Sequence, residues 1–146
     1  MSELKNLKPK VVTKLPGPKS AELLKIKEKN VPFGVSTGLT VFANRAEGAM
    51  IEDIDGNVFV DFAGGIGVMN VGHCIPEIVE AVKAQCDKFF HVNFNVVLYE
   101  QYALLAEKLN ALVPGNFEKK TLLVNTGAEA NENAIKLARR FTGRSE

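Results

Sequence analysis

The chain of 146 residues has no tryptophan, only two cysteines and two histidines, and no apolar run long enough for a membrane span or a signal peptide. Each shortage removes a class of protein. Cys74 and Cys86 are too few for a disulfide framework, and a reducing compartment suits them. The spacings among His73, Cys74, Cys86 and His91 match no zinc-ligand pattern, so no metal is expected. The sequence contains no GxxxxGK[ST] phosphate loop, and no hydrolase nucleophile is expected. The N-terminal stretch has none of the Arg-rich, Ser-rich character of a transit peptide, which leaves the cytoplasm as the expected location.

What is present suits a soluble globular domain: 46% hydrophobic and 24% charged residues, with a net charge of +1. That balance predicts neither a nucleic-acid nor a membrane partner, although charge is unevenly spread. Residues 1–30 hold eight Lys and three Glu, a sum of +5, which leaves −4 for the rest. No aromatic residue lies among those first lysines to stack on bases, and Pro9, Pro16, Gly17 and Pro18 break the stretch up. A solvated arm over residues 1–37 is predicted, whose one ordered element is a short helix capped by Ser20 and running to Lys29.

Residues 38–72 read as a small antiparallel sheet and a glycine-rich segment. "LTVFANR", "AMIEDI" and "NVFVDF" have strand character, and Asp55-Gly56 between the last two is a hairpin signal. From residue 73 helices dominate. Pro76 opens one with Ile78, Val79, Val82, Cys86 and Phe89 on its apolar side, Cys86 being read as core. A second has Leu98, Tyr102, Leu105, Leu109 and Leu112 in steps of four and three, and Pro114-Gly115 ends it. Thr121–Asn125 is predicted as a short buried strand, followed by a helix over Gly127–Phe141 with Ala130, Ala134, Leu137, Ala138 and Phe141 inward. Glu132, Lys136 and Arg140 on its other face form a solvated charge ladder. A strand followed by a helix builds parallel sheets, yet this strand has no parallel neighbour in the sequence. Residues 73–146 are therefore expected to be the start of a larger α/β domain, cut short.

Two glycine-rich places are candidates for phosphate binding. "GGIGVMNVG" fails the dinucleotide fingerprint, because Asn70 takes the third glycine position after Gly65 and Gly67, and no helix is expected before Pro76. "NTGAEANENAIK" is better suited. Thr126-Gly127-Ala128-Glu129 has the form of a capping box, in which the Thr126 hydroxyl accepts from the Glu129 amide and the Glu129 carboxylate from the Thr126 amide. Two amides, of Gly127 and Ala128, are then left at the positive end of the helix dipole, and Gly127 has no side chain to hold an anion away. The plain reading is an ordinary cap whose spare amides meet water; the other is a phosphate cup.

At this point the residues resemble a family. "NTGAEANENAIKLARRFTGR" resembles the phosphate-binding segment of class III pyridoxal-phosphate aminotransferases, and "IEDIDGNVFVDFAGGIGVMNVGHCIPEIVEAV" resembles their N-terminal signature. "LYEQY" and "VPGNFEKKTLLVNTGAEA" are most similar to bacterial 4-aminobutyrate aminotransferases, and the likeness runs from about Gly38 to Arg144. The resemblance implies an α/β protein, the N-terminal portion of a fold-type-I transferase, with pyridoxal 5'-phosphate as cofactor. It implies transfer of an amino group from 4-aminobutyrate or another ω-amino acid to 2-oxoglutarate, by a homodimer that shares its active sites. Gly127 and Ala128 then stand at the cofactor-phosphate amides. Many 4-aminobutyrate members carry Ser at the second position, so Ala128 keeps the backbone donor and loses a hydroxyl.

Ile66, in "GGIGV", matches a position lining the substrate pocket; a packed core residue is the alternative. Asn95 falls where relatives can carry a polar residue near the cofactor, reaching a neighbouring subunit's site; a turn-forming Asn is the alternative. His73 belongs to the signature and is read as structural. The family's Schiff-base Lys, the Asp facing the pyridinium nitrogen and the stacked aromatic ring come later in such chains, so no catalytic residue is expected in this segment, which is inactive by itself. Two other readings stay open: an acetylornithine or ornithine aminotransferase, whose motif has the same style, and a non-catalytic binding or interface remnant. A dehydrogenase is a distant third.

Overall fold

The computed structural model describes residues 4–144. It divides into two compact units, Met1–Phe90 and His91–Glu146.

The first unit is built on a three-stranded antiparallel sheet in the order β1 (Ala43–Glu47), β2 (Met50–Asp53), β3 (Val58–Val60). Register is set by pairs such as Arg45 with Glu52 and Ile51 with Phe59, and β1 is irregular between Ala43 and Arg45. The first strand is therefore shorter than "LTVFANR" suggests, beginning only at Ala43. The β2–β3 hairpin turns at Asp55-Gly56 as predicted. The Gly56 backbone is left-handed (φ 87°), a conformation glycine reaches without cost, and the Asp53 amide donates to the Asn57 carbonyl across the loop.

The N-terminal arm is not simply solvated, and its short helix is not its only ordered element. Leu4, in a single 3-10 turn (Leu4–Asn6), is 1% exposed and joins Met50 and Val58 in the small core, with Leu7 and Val60 packed against it. Lys10 exchanges two backbone hydrogen bonds with Val58, of 2.9 and 2.8 Å, which covers the edge of β3. The physical reason is the spacing of two leucines among the lysines. A three-stranded sheet needs a cover for its apolar face, and Leu4 and Leu7 supply one.

Asn57 completes the attachment. Fully buried, it accepts from the amides of Val12 (2.7 Å) and Thr13 (3.0 Å), and donates to Thr13 Oγ1 (2.9 Å) and Asp53 Oδ2 (2.7 Å). Helix α1 (Pro18–Asn30) is capped from a distance as well. Its N-cap residue is Gly17, and Ser20, rather than capping, sits buried in the first turn. Asp55 at the hairpin tip accepts from the Lys19 amide (2.8 Å), the Ser20 amide (3.0 Å) and the Ser20 hydroxyl (2.6 Å). A β-carbon on Gly17 would collide with the Asp55 side chain, so the close approach favours glycine there.

After the sheet the chain makes a single turn, α2 (Gly64–Gly67), in which all four residues have positive φ; it is a left-handed turn, and the next right-handed helix opens at Pro76, as expected. Helix α3 (Pro76–Cys86) has Pro at its start, as the sequence suggests. Its apolar side is not covered: Ile78, Val82 and Cys86 are exposed, contrary to the expectation that Cys86 is core.

The second unit contains α4 (Glu100–Leu112) and α5 (Gly127–Thr142). Residues 121–125 form no strand and are not buried: they run without a sheet partner, and Leu122, Val124 and Asn125 are exposed. A strand exists only with a neighbour, and none is present among the described residues. The same absence leaves the apolar side of α5 open, with Leu137 and Phe141 exposed along with Ala130, Ala134 and Ala138. Periodicity predicts these faces correctly as apolar and incorrectly as inward. Among the described residues no helix is long and apolar enough to cross a membrane.

Candidate functional site

The start of α5 has the predicted capping box. Thr126 is extended (φ −137°, ψ 156°), its hydroxyl accepts from the Glu129 amide at 3.1 Å, and the Glu129 carboxylate accepts from the Thr126 amide at 3.0 Å. Glu129 does more than the motif requires. The same oxygen also accepts from the Asn125 amide at 2.8 Å, so two backbone donors converge on one carboxylate. A side chain that would repel an incoming anion is thereby turned onto donors.

The amides of Gly127 and Ala128 donate to no protein acceptor among the described residues. The space where a Gly127 β-carbon would stand is open to at least 4 Å. α5 is a helix of 16 residues, long enough for its dipole to place positive potential at these donors. An anion of phosphate size meets here two directed N–H groups and a residue without a side chain. A groove of about 450 Å³ runs alongside, lined by Leu122, Val124, Ala130, Ala134 and Leu137. Neither Gly127 nor Ala128 lines it, so it is uncovered helix surface and not the phosphate seat.

Asn95 also lies in the second unit. It is exposed, and its amide donates to Asn93 Oδ1 at 2.9 Å, while the Asn93 carbonyl accepts from Val96 and Val97. The turn-forming side chain is therefore that of Asn93, which leaves the Asn95 carboxamide pointing at no protein partner among the described residues.

Ile66 lies in the first unit, on α2. Its backbone is left-handed (φ 54°, ψ 61°), a conformation that costs a β-branched residue on the order of 1–3 kcal/mol. Its side chain is 92% exposed, so the core alternative does not hold for this chain. The base of this loop is tied by Asp61. One carboxylate oxygen accepts from the Ala63 and Gly64 amides at 3.0 and 2.9 Å, and the other meets His73 Nε2 at 2.7 Å. His73 hydrogen-bonding and the Gly64 amide hold the Asp61 carboxyl below its ordinary range, against the upward push of burial. An ionised carboxylate only accepts, so Nε2 carries the proton. His73 is also bridged to Gly48 by two backbone bonds of 2.9 and 2.8 Å, a structural placement.

Sequence reasoning missed Tyr102 and Asn110 as partners of the segment before α5, because Leu123 and Thr121 lie 21 and 11 residues further along the chain. Gly34-Val35-Ser36-Thr37-Gly38 has the GxSxG spacing of a hydrolase nucleophile. That motif works on a strained turn from a strand into a helix. Here it lies in the irregular stretch between α1 and β1 with Ser36 exposed, so the context is missing.

A capped helix with two free amides is open to an anion, and comparison with known proteins gives the class of protein in which it occurs. The chain belongs to the class III aminotransferases, whose family profile matches residues 34–146. It is 47% identical to the 4-aminobutyrate aminotransferase of Mycobacterium leprae over 132 residues, which cover 90% of this chain and 30% of that protein. It is 50% identical to the 5-aminovalerate aminotransferase of Pseudomonas putida over 115 residues, 79% of this chain and 27% of that one. Among solved structures, the taurine:2-oxoglutarate aminotransferase of Bifidobacterium kashiwanohense, in complex with pyridoxal phosphate and glutamate, superposes with a TM-score of 0.75 at 30% identity, over 87% of this chain and 29% of that one. The chain thus spans less than a third of each of these relatives. Pyridoxal phosphate is the family's cofactor, and the fold is the α/β fold of its members.

Proposed function

We propose that this chain supplies the phosphate-binding helix and part of the substrate-pocket wall of an aminotransferase that moves an amino group from 4-aminobutyrate or a related ω-amino acid to 2-oxoglutarate. The observation that carries the reading is the pair of unpaired amides on Gly127 and Ala128, next to a Glu129 carboxylate already occupied by two backbone donors. These residues fit a cofactor phosphate. The 4-aminobutyrate and 5-aminovalerate specificities of the relatives named above support a donor whose amine lies at the end of a short carboxylate chain.

In this reading Gly127 and Ala128 donate to the phosphate, and Thr126 and Glu129 hold the helix start so that both N–H groups point outward. Asn95 offers a free carboxamide to the cofactor or to a neighbouring subunit's site. Ile66, held outward by the loop that Asp61 and His73 tie, presents an apolar wall to the methylenes of the donor. Pyridoxal phosphate, when bound, supplies the electron sink for the carbanion formed at the amino donor. A homodimer and a cytoplasmic location are further parts of the proposal.

Chemistry also needs a lysine amine made nucleophilic by its surroundings. The lysines of this chain lie in the arm, on helix faces or in Glu118-Lys119-Lys120, none in a context resembling the family's cofactor Lys. The 146-residue chain by itself is therefore expected not to transaminate. The test is to mix it with pyridoxal phosphate, reduce with borohydride and map the labelled lysines by mass spectrometry. Sparse labelling spread over exposed lysines is expected; stoichiometric labelling at one Lys would overturn the reading of this chain as an incomplete site.

A further inference from the structure

The approach to the cup is held from one side by α4. Thr121 and Leu123, two residues apart, each bond a side chain of α4. The Leu123 amide donates to the Tyr102 hydroxyl at 2.9 Å, and the Thr121 hydroxyl donates to Asn110 Oδ1 at 2.7 Å. Residues 121–124 make no backbone-to-backbone hydrogen bond among the described residues, so side chains of α4 take the place of a strand neighbour here. Tyr102 reaches a second stretch as well. Its ring stacks on Phe94 with centroids 4.1 Å apart and planes 16° from parallel, and Tyr99 meets both rings edge-on. Phe94 directly precedes Asn95.

One side chain thus touches both stretches of the second unit that bear the proposed cofactor-binding residues. From Leu123 to the cup the backbone is secured at nearly every step: the Leu123 amide on Tyr102, then the Asn125 and Thr126 amides on Glu129, and next the free donors of Gly127 and Ala128. We propose that Tyr102 is a positioning residue for the phosphate-binding amides, its hydroxyl setting the path into α5 and its ring holding the Phe94-Asn95 turn to the same point. The inference rests on the reading of Gly127 and Ala128 as phosphate donors.

Tyr102→Phe separates the two contacts, because it keeps the ring on Phe94 and removes only the hydroxyl. With inorganic phosphate as the probe, the chemical shifts of the Gly127 and Ala128 amides are followed by NMR in the unmodified chain and the variant, together with hydrogen exchange at Leu123. The expected result is faster Leu123 exchange and phosphate binding weakened by about 2- to 10-fold, the range for one lost neutral hydrogen bond, with the helical circular-dichroism signal unchanged. Asn110→Ala, which frees the Thr121 side chain and leaves the Leu123 amide bonded, is expected to weaken binding less.

Equal phosphate affinity in the unmodified chain and Tyr102→Phe would overturn the inference and leave the cup standing. Unaltered Leu123 exchange, or an equal loss in Asn110→Ala, would overturn it too. No phosphate response at Gly127 and Ala128 in the unmodified chain would overturn the cup reading and this inference with it.

Discussion

Gly127→Pro tests the cup by deleting one donor while leaving its helix intact. Proline lacks the N–H, and the first helical position is where that absence harms a helix least, because the group has no intrahelical acceptor there. The residue before a proline must be extended, and Thr126 already is, at φ −137° and ψ 156°. Nothing lies within 4 Å of the new β-carbon. The capping bonds, Glu129 amide to Thr126 hydroxyl and Thr126 amide to Glu129 carboxylate, do not involve the Gly127 nitrogen. Helix stability should hold or rise by about 0.4–1 kcal/mol through the stiffer unfolded chain. Phosphate, by contrast, loses a hydrogen bond to a charged group, worth about 1.5–3 kcal/mol, or about 10- to 150-fold in affinity. Circular dichroism in urea measures the first quantity, and phosphate titration followed at the Ala128 amide the second. Undiminished phosphate binding with the helix retained would refute the assignment of Gly127 as a donor.

Two further perturbations concern the first unit. Asn57→Ala strips acceptors from the Val12 and Thr13 amides and a donor from Asp53, and should cost about 2–4 kcal/mol, read as a lower urea midpoint; a loss below about 0.5 kcal/mol would show that the arm is not held by this residue. Acid should weaken the same unit. Hydrogen bonding from Arg45 lowers the Glu52 carboxyl, hydrogen bonding from His73 lowers that of Asp61, and for Asp55 burial raises the carboxyl but the bonds from Ser20 and Lys19 together lower it by more. A folded value below the unfolded one stabilises fully above the unfolded value, near 3.8 for Asp and 4.5 for Glu, and that stabilisation is lost as pH falls through the folded value. The urea midpoint should therefore hold from pH 7 to about pH 5 and drop below about pH 4, less steeply in Asp61→Asn; a flat midpoint across the acid range would contradict the assignment.

The parts of the fold that could be read from the sequence are those whose causes are local. Asp55-Gly56 makes a hairpin because a glycine can enter the left-handed region at the turn, and Thr126 and Glu129 make a cap because three residues of helix bring them together. The arm is the opposite case, because its decisive contacts are remote. Leu4 finds its core partners at Met50 and Val58, and Asp55 caps a helix that begins 37 residues earlier in the chain. Composition registers eight lysines there and gives no weight to two well-placed leucines. Residues 121–125 and the side of α5 fail differently: periodicity reports which face is apolar, while burial depends on whether another element lies against it.

The candidate site shows the same division at finer grain. The amides of Gly127 and Ala128 were identifiable because a capping box uses up particular donors and leaves others, a count that needs no tertiary information. What that count could not show is how the cup is held still. Glu129 takes the Asn125 amide in addition to that of Thr126, and Tyr102, 21 residues before Leu123, takes the amide just ahead of them. An anion gains from directed N–H groups only if they are already aimed when it arrives, because any motion it must suppress is subtracted from the affinity. A helix cap alone secures its own first turn. Here the Tyr102 contact extends that order upstream, which is why a tyrosine that touches no ligand should still change how tightly phosphate binds.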